Sequence, residues 1–151
     1  RATFACGADL KRLLTELRER GWQCFTFDLS DCPLMDSTFL GVLAGFGLKL
    51  RAGNGDQGKR GIELLNPNAR ITELLDTLGV LHLFKLTQGP VTLPEQTDLR
   101  PHPPASPSQE QVTLTCLEAH QTLMDLSPAN AARFKDVAQF LAEGLKKPRS
   151  G

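Results

Sequence analysis

The chain has 151 residues, and its 17 Lys plus Arg balance 17 Asp plus Glu to a net charge of zero. That length suits one main core with an appendage and is too short for two large domains. The charge balance removes any global electrostatic case for binding nucleic acid or an anionic membrane, so a partner must be recognised locally.

No apolar run is long enough to span a bilayer, and the opening RATFACGADL has no signal-peptide core, which predicts a soluble, cytoplasmic protein. The missing initiator Met predicts further residues upstream. From Ala8 to Arg20, Leu10, Leu13, Leu14 and Leu17 recur at helical spacing among charged residues, with Gly21 as the stop. Residues 22 to 29, WQCFTFDL, alternate and are rich in aromatic and β-branched side chains, as a strand requires. After the loop SDCP, residues 37 to 51 read as a helix that is apolar on most sides, with Gly41, Ala44, Gly45 and Gly47 small enough for close approach to a sheet. Such a helix must be largely buried.

GNGDQGKRG then predicts a flexible loop and IELLN a short strand. Asn66 and Pro67 read as the N-cap and first residue of a helix with Ile71, Leu74, Leu75 and Leu78 on one side, closed by Gly79. LHLFKL supplies a last strand. Strands separated by helices imply crossovers, hence an α/β fold with a mixed, mostly parallel sheet and amphipathic helices packed on it. The strands near 23–29 and 61–65 should be adjacent and parallel, joined through the 37–51 helix.

Six of the ten prolines fall within residues 90 to 107, which divides the chain into a domain over 1–89, a linker over 90–109 and a helical hairpin over 110–147. In the hairpin, Val112, Cys116, Leu117, His120, Leu123 and Met124 form one apolar stripe. Ser127 and Pro128 cap a second helix carrying Phe134, Val137, Ala138, Leu141 and Leu145. Helices of this length cannot bury their stripes alone, so they should pack together and against the first domain or a second copy, which makes a homodimer through the C-terminal helices one outcome.

Signals for chemistry are sparse. Cys6, Cys24, Cys32 and Cys116 have neither metal-ligand nor disulfide spacing, and Cys24 reads as a small buried hydrophobe. No cofactor or metal is expected. GNGDQGK, Gly53 to Lys59, has the spacing of a phosphate-binding loop, but Arg60 stands where Ser or Thr should bind magnesium, and the segment follows a helix and opens a strand. His82, His102 and His120 read as structural or exposed, and Asp28, Asp31 and Asp36 as capping residues. Ser37, at the start of a buried helix, reads as its N-cap.

The segment FDLSDCPLMDSTFLGVLAGFG resembles the corresponding stretch of STAS domains, the anti-anti-sigma-factor family, in which a strand ending in D-L-S leads to a D-S-S-G-x-G-like helix start. NPNARITELLDTLGVLHLFKL is similar to the family's later helix and final strand. The resemblance covers residues 1 to about 88 and implies that the protein is not an enzyme. It implies an anti-sigma factor antagonist that binds a histidine-kinase-like ATPase, a serine kinase and anti-sigma factor, when Ser37 is unphosphorylated. The partner-binding surface so implied is Asp36, Ser37, Thr38, Phe39 and Gly41, with Ser37 as the phosphoacceptor. Phe39 stands where the family usually has Gly, the family's opening β-hairpin is largely missing, and the C-terminal hairpin is an addition. Two other readings stay open: a STAS-like module that binds a small molecule or serves in a signalling or transport assembly without phosphorylation, and a nucleotide hydrolase acting through Lys59.

Overall fold

The computed structural model describes residues 2–52, 61–90 and 107–146. The phosphate-loop-like segment, His102 and most of the proline-rich linker therefore lie outside the described residues. The elements are α1 (Phe4–Glu19), β1 (Cys24–Asp28), α2 (Ser37–Ala52), β2 (Gly61–Leu65), α3 (Ala69–Thr77), a 3-10 turn at Leu81–Leu83, β3 (Phe84–Thr87), α4 (Gln109–Leu126) and α5 (Pro128–Lys146). This is an α/β architecture.

Among the described residues the sheet has the order β1-β2-β3, and both pairings are parallel. The expected adjacency of β1 and β2 through α2 is thus observed. Leu40 and Leu43 of α2 and Ile71 and Leu75 of α3 are buried in one cluster with Ile62 and Leu64, as two right-handed crossovers stepping in the same direction would arrange. Register rows explain which face: Phe25, Ile62 and Phe84 align, as do Phe27, Leu64 and Leu86, and these rows carry the burial. Phe25 meets Phe46 of α2 edge-on, with ring centroids 5.2 Å apart. The intervening row Thr26, Glu63, Lys85 is polar, and Lys85 lies 3.8 Å from Glu63. Cys24 belongs to this outer side and is exposed, which corrects its reading as a buried hydrophobe: strict alternation along β1 pairs its side with Thr26 and Asp28.

Two local expectations shift, at the start of α1 and at the cap of α3. Helix α1 begins at Phe4 rather than Ala8, because the carboxylate of Asp36 accepts the Phe4 N–H at 2.6 Å from 32 residues away. The opening residues do not form a regular strand; Ala2 makes one isolated parallel bridge to Met35. Asn66 is not the cap of α3. It adopts φ 55° and clamps Gly89, accepting its N–H at 2.8 Å and donating to its carbonyl at 2.9 Å. The cap is Asn68, which accepts the Ile71 N–H at 2.9 Å.

The C-terminal helices form the expected hairpin. Helix α4 opens with a reciprocal capping box between Ser108 and Gln111, and Pro128 stands at the first position of α5. Helix α4 packs on α1 and α2, and α5 packs on α4. Leu123 of α4 is wholly buried in the same cluster as Leu40, Leu43, Leu64 and Ile71, so the hairpin and the α/β layer share one core. The outer side of α5 leaves Val137 and Phe140 exposed.

Candidate functional site

The short loop after β1 delivers Asp36 to a point where two helices begin. Asp36 Oδ1 accepts the N–H of Phe39, in the first turn of α2, at 2.9 Å, while Oδ2 takes that of Phe4 at the start of α1. Its backbone carbonyl accepts the Leu40 N–H at 3.1 Å. Asp36, not Ser37, is therefore the N-cap of α2, and one carboxylate satisfies the positive ends of two helices. We expect Asp36→Ala to lower stability by about 2 kcal/mol, since both helices lose a charge-assisted acceptor. Asp36→Asn, which keeps one acceptor oxygen, should lose about half as much in a denaturant titration.

Released from capping, the Ser37 hydroxyl points to α4. Its Oγ lies 3.0 Å from His120 Nε2. The other ring nitrogen, Nδ1, is 2.6 Å from the carbonyl oxygen of Cys116, one turn earlier in α4. A carbonyl can only accept, so Nδ1 carries a proton, and in the neutral form of the ring the lone pair lies at Nε2. Ser37 is then the donor. His120 is itself buried, and its ring meets Phe134 of α5 edge-on at 4.9 Å between centroids, which fixes its plane.

The five residues singled out in sequence as one surface do not face one way. Asp36, Ser37 and Phe39 are half-buried, whereas Thr38 and Gly41 are buried. Thr38 lies at a three-helix junction, where its methyl and that of Thr115 in α4 face Gly7 of α1 at distances that would be ordinary contact for a Cβ there. At Gly41 a Cβ would stand 2.5 Å from the carbonyl oxygen of Ala119, so the close approach it permits is that of α4. Gly45 likewise faces Thr122 of α4, and of these glycines only Gly47 faces the sheet side, near Ile62. The small residues expected to permit close approach to a sheet thus serve mainly the approach of α4, and Ser37 lies partly under the same helix. The reason is the added hairpin, which seats its own small residues on the same stripe. Lys11 of α1 and Glu118 of α4 close the seam as an ion pair, both side chains partly exposed.

Beside this corner, Asp28 of the D-L-S segment holds its carboxyl below the usual range, first through the Ser30 hydroxyl at 2.6 Å and then through the Ser30 N–H at 3.0 Å. Asn66 reaches the same hydroxyl at 3.0 Å, which ties the ends of β1 and β2 together. Among the described residues no cluster of three His, Cys, Asp or Glu side chains could hold a metal ion, and no helix is long and apolar enough to cross a membrane. No local signal in the sequence marks His120 as a binding group, because its partner is 83 positions away. No family model, curated protein or solved structure matches the chain.

Proposed function

We propose that the chain is a non-enzymatic regulatory module of the STAS, anti-sigma-factor-antagonist type. It binds a kinase and anti-sigma-factor partner while Ser37 is unmodified, and phosphorylation of Ser37 ends the interaction. The observation that carries this reading is a partly buried Ser37 beside a fixed carboxylate, at the first turn of a helix bracketed by parallel strands. A phosphate there adds about −1.5 to −2 charges next to Asp36, and a partner surface fitted to the neutral corner meets two adjacent anions instead. Asp36, Ser37 and Phe39 are the residues that can touch such a partner with the hairpin in place; Thr38 and Gly41 act behind them.

Binding of a partner recovered from native lysate should survive Ser37→Ala and weaken by about 2 kcal/mol, roughly thirtyfold, in Ser37→Asp. Isolated partner and ATP should label the wild type at Ser37 only. Labelling that persists in Ser37→Ala, or equal affinity of the two variants, rules the switch out.

A second reading is supported by a groove of about 740 Å³ between α1 and the start of α4, lined by Asp9, Lys11, Arg12, Thr15, Gln111 and Leu114. A small polar ligand held there would make the chain a ligand-binding STAS-like module. A ligand-induced rise in melting temperature without phosphorylation would favour it.

A further inference from the structure

We infer that His120 is a general base built into the phosphoacceptor site, so that Ser37 is an activated nucleophile and not merely an accessible hydroxyl. The inference rests on the proposed modification of Ser37 and adds the residue that takes its proton. Three observations combine. Ser37 Oγ is within hydrogen-bond reach of His120 Nε2, at 3.0 Å. The carbonyl of Cys116, 2.6 Å from Nδ1, holds the ring in the tautomer whose free lone pair faces Ser37. The ring is buried and braced by Phe134, so its lone pair is aimed without cost at the moment of reaction. A nucleophile, a base in contact with it and a third group orienting the base are the parts that nucleophilic activation requires, with a backbone carbonyl here in the orienting role.

The capping geometry supports the assignment. A Ser at a helix start ordinarily spends its hydroxyl on a first-turn N–H, but Asp36 already fills that place through Phe39. The Ser37 hydroxyl is thereby left to His120. Ser37 is partly buried and His120 buried, so a phosphoryl donor must reach Oγ from the solvent side, with the base behind it.

In the transfer itself, Ser37 Oγ attacks the γ-phosphorus of a nucleoside triphosphate carried by the partner kinase. The Oγ–P bond forms, the bond from that phosphorus to the β-phosphate oxygen breaks, and the nucleoside diphosphate leaves. The hydroxyl proton passes to His120 Nε2. The imidazolium keeps its Nδ1–H on the Cys116 carbonyl, and its new Nε2–H faces the phosphate just made, a charge-assisted contact between α4 and the modified residue. The state of Ser37 is therefore felt directly by the C-terminal hairpin.

The first arm of the test needs no partner. The full-length protein is treated with a fluorophosphonate ester, in which Oγ attacks phosphorus, fluoride leaves and the proton again goes to His120; sites are then mapped by peptide mass spectrometry. Ser37 should react at least tenfold faster than exposed Ser108, and His120→Gln should remove that advantage while the melting temperature shows the protein folded. His120→Ala should regain reactivity when imidazole is added, which a purely structural His would not do. If Ser37 reacts no faster than Ser108, or if His120→Gln reacts like the wild type, the base assignment is wrong. Fast phosphonylation of Ser37 with no kinase labelling would leave the base standing and remove the switch; kinase labelling that is unchanged in His120→Gln would do the reverse.

Discussion

Gly41→Ala is expected to destabilise the protein by about 3 kcal/mol, and Gly45→Ala, one turn along the same helix, to stabilise it by about 1 kcal/mol. The two changes are chemically identical. In an open helix each would help, since Ala loses less backbone entropy than Gly on folding. At Gly45 the added Cβ finds Thr122 at 3.5 Å, ordinary contact with a side chain that can adjust. At Gly41 it meets the carbonyl oxygen, Cβ and carbonyl carbon of Ala119 at 2.5, 2.7 and 2.8 Å, two of which are backbone atoms and cannot give unless α4 moves as a body. The opposed signs, read by chemical unfolding, test whether α4 crosses α2 at this point. Hydrogen exchange should locate the damage, with protection lost first over residues 109–146 and retained longer in the strands. If both variants are stabilised, the hairpin is not seated on α2.

Asn130→Asp should cost about 4 kcal/mol at neutral pH, the largest effect expected of any isosteric change in this chain. Asn130, at the third position of α5, is wholly buried. Its side-chain amide donates to the carbonyl of Leu78 at 2.8 Å, at the end of α3, and to that of Leu123 at 2.9 Å, in α4. Three helices are thus tied by two protons of one amide. The carboxylate has neither proton and sets a buried negative charge against two carbonyl oxygens. Burial raises the folded-state pKa of such a group above its unfolded value, so the deficit should shrink as pH falls and protonation restores one donor, and grow as pH rises. Asn130→Leu should be milder, about 2 kcal/mol: it strands the same two carbonyls but also removes Oδ1, which is buried without a partner in the wild type. A loss in Asn130→Asp that is equal at pH 5 and pH 8 would contradict a buried carboxylate at this position.

Much of the architecture follows from local rules. Alternation in CFTFD, the leucine spacing of the first helix and the closing glycine at position 79 are set by interactions within a few residues, and these elements are present in the expected order, although α1 starts four residues early and the first half of LHLFKL is a 3-10 turn rather than strand. Two crossovers then leave parallel pairing as the simplest arrangement, and the strands pair so. Where competing local signals were nearly equal, a distant group decided. Asn66 and Asn68 can both cap a helix; Gly89, on the next strand's exit, draws Asn66 away and leaves the role to Asn68. Phe4 joins α1 because Asp36 accepts its N–H, a contact that no window of neighbouring residues contains.

The candidate site divides in the same way. The amino-acid sequence alone marked the Asp36-Ser37-Thr38 break as the start of a buried helix and showed a hairpin to follow a proline-rich stretch, because burial pattern and turn chemistry are local properties. Which side of that helix would be covered, and by what, is a matter of complementary surfaces: Gly41 and Gly45 admit α4 because Ala119 and Thr122 face them, and that match exists only once both helices are folded. The pairing of Ser37 with His120 is a consequence of the same crossing. Tertiary structure alone decided it, since a hydrogen bond needs two groups within about 3 Å and nothing along the chain brings these two together.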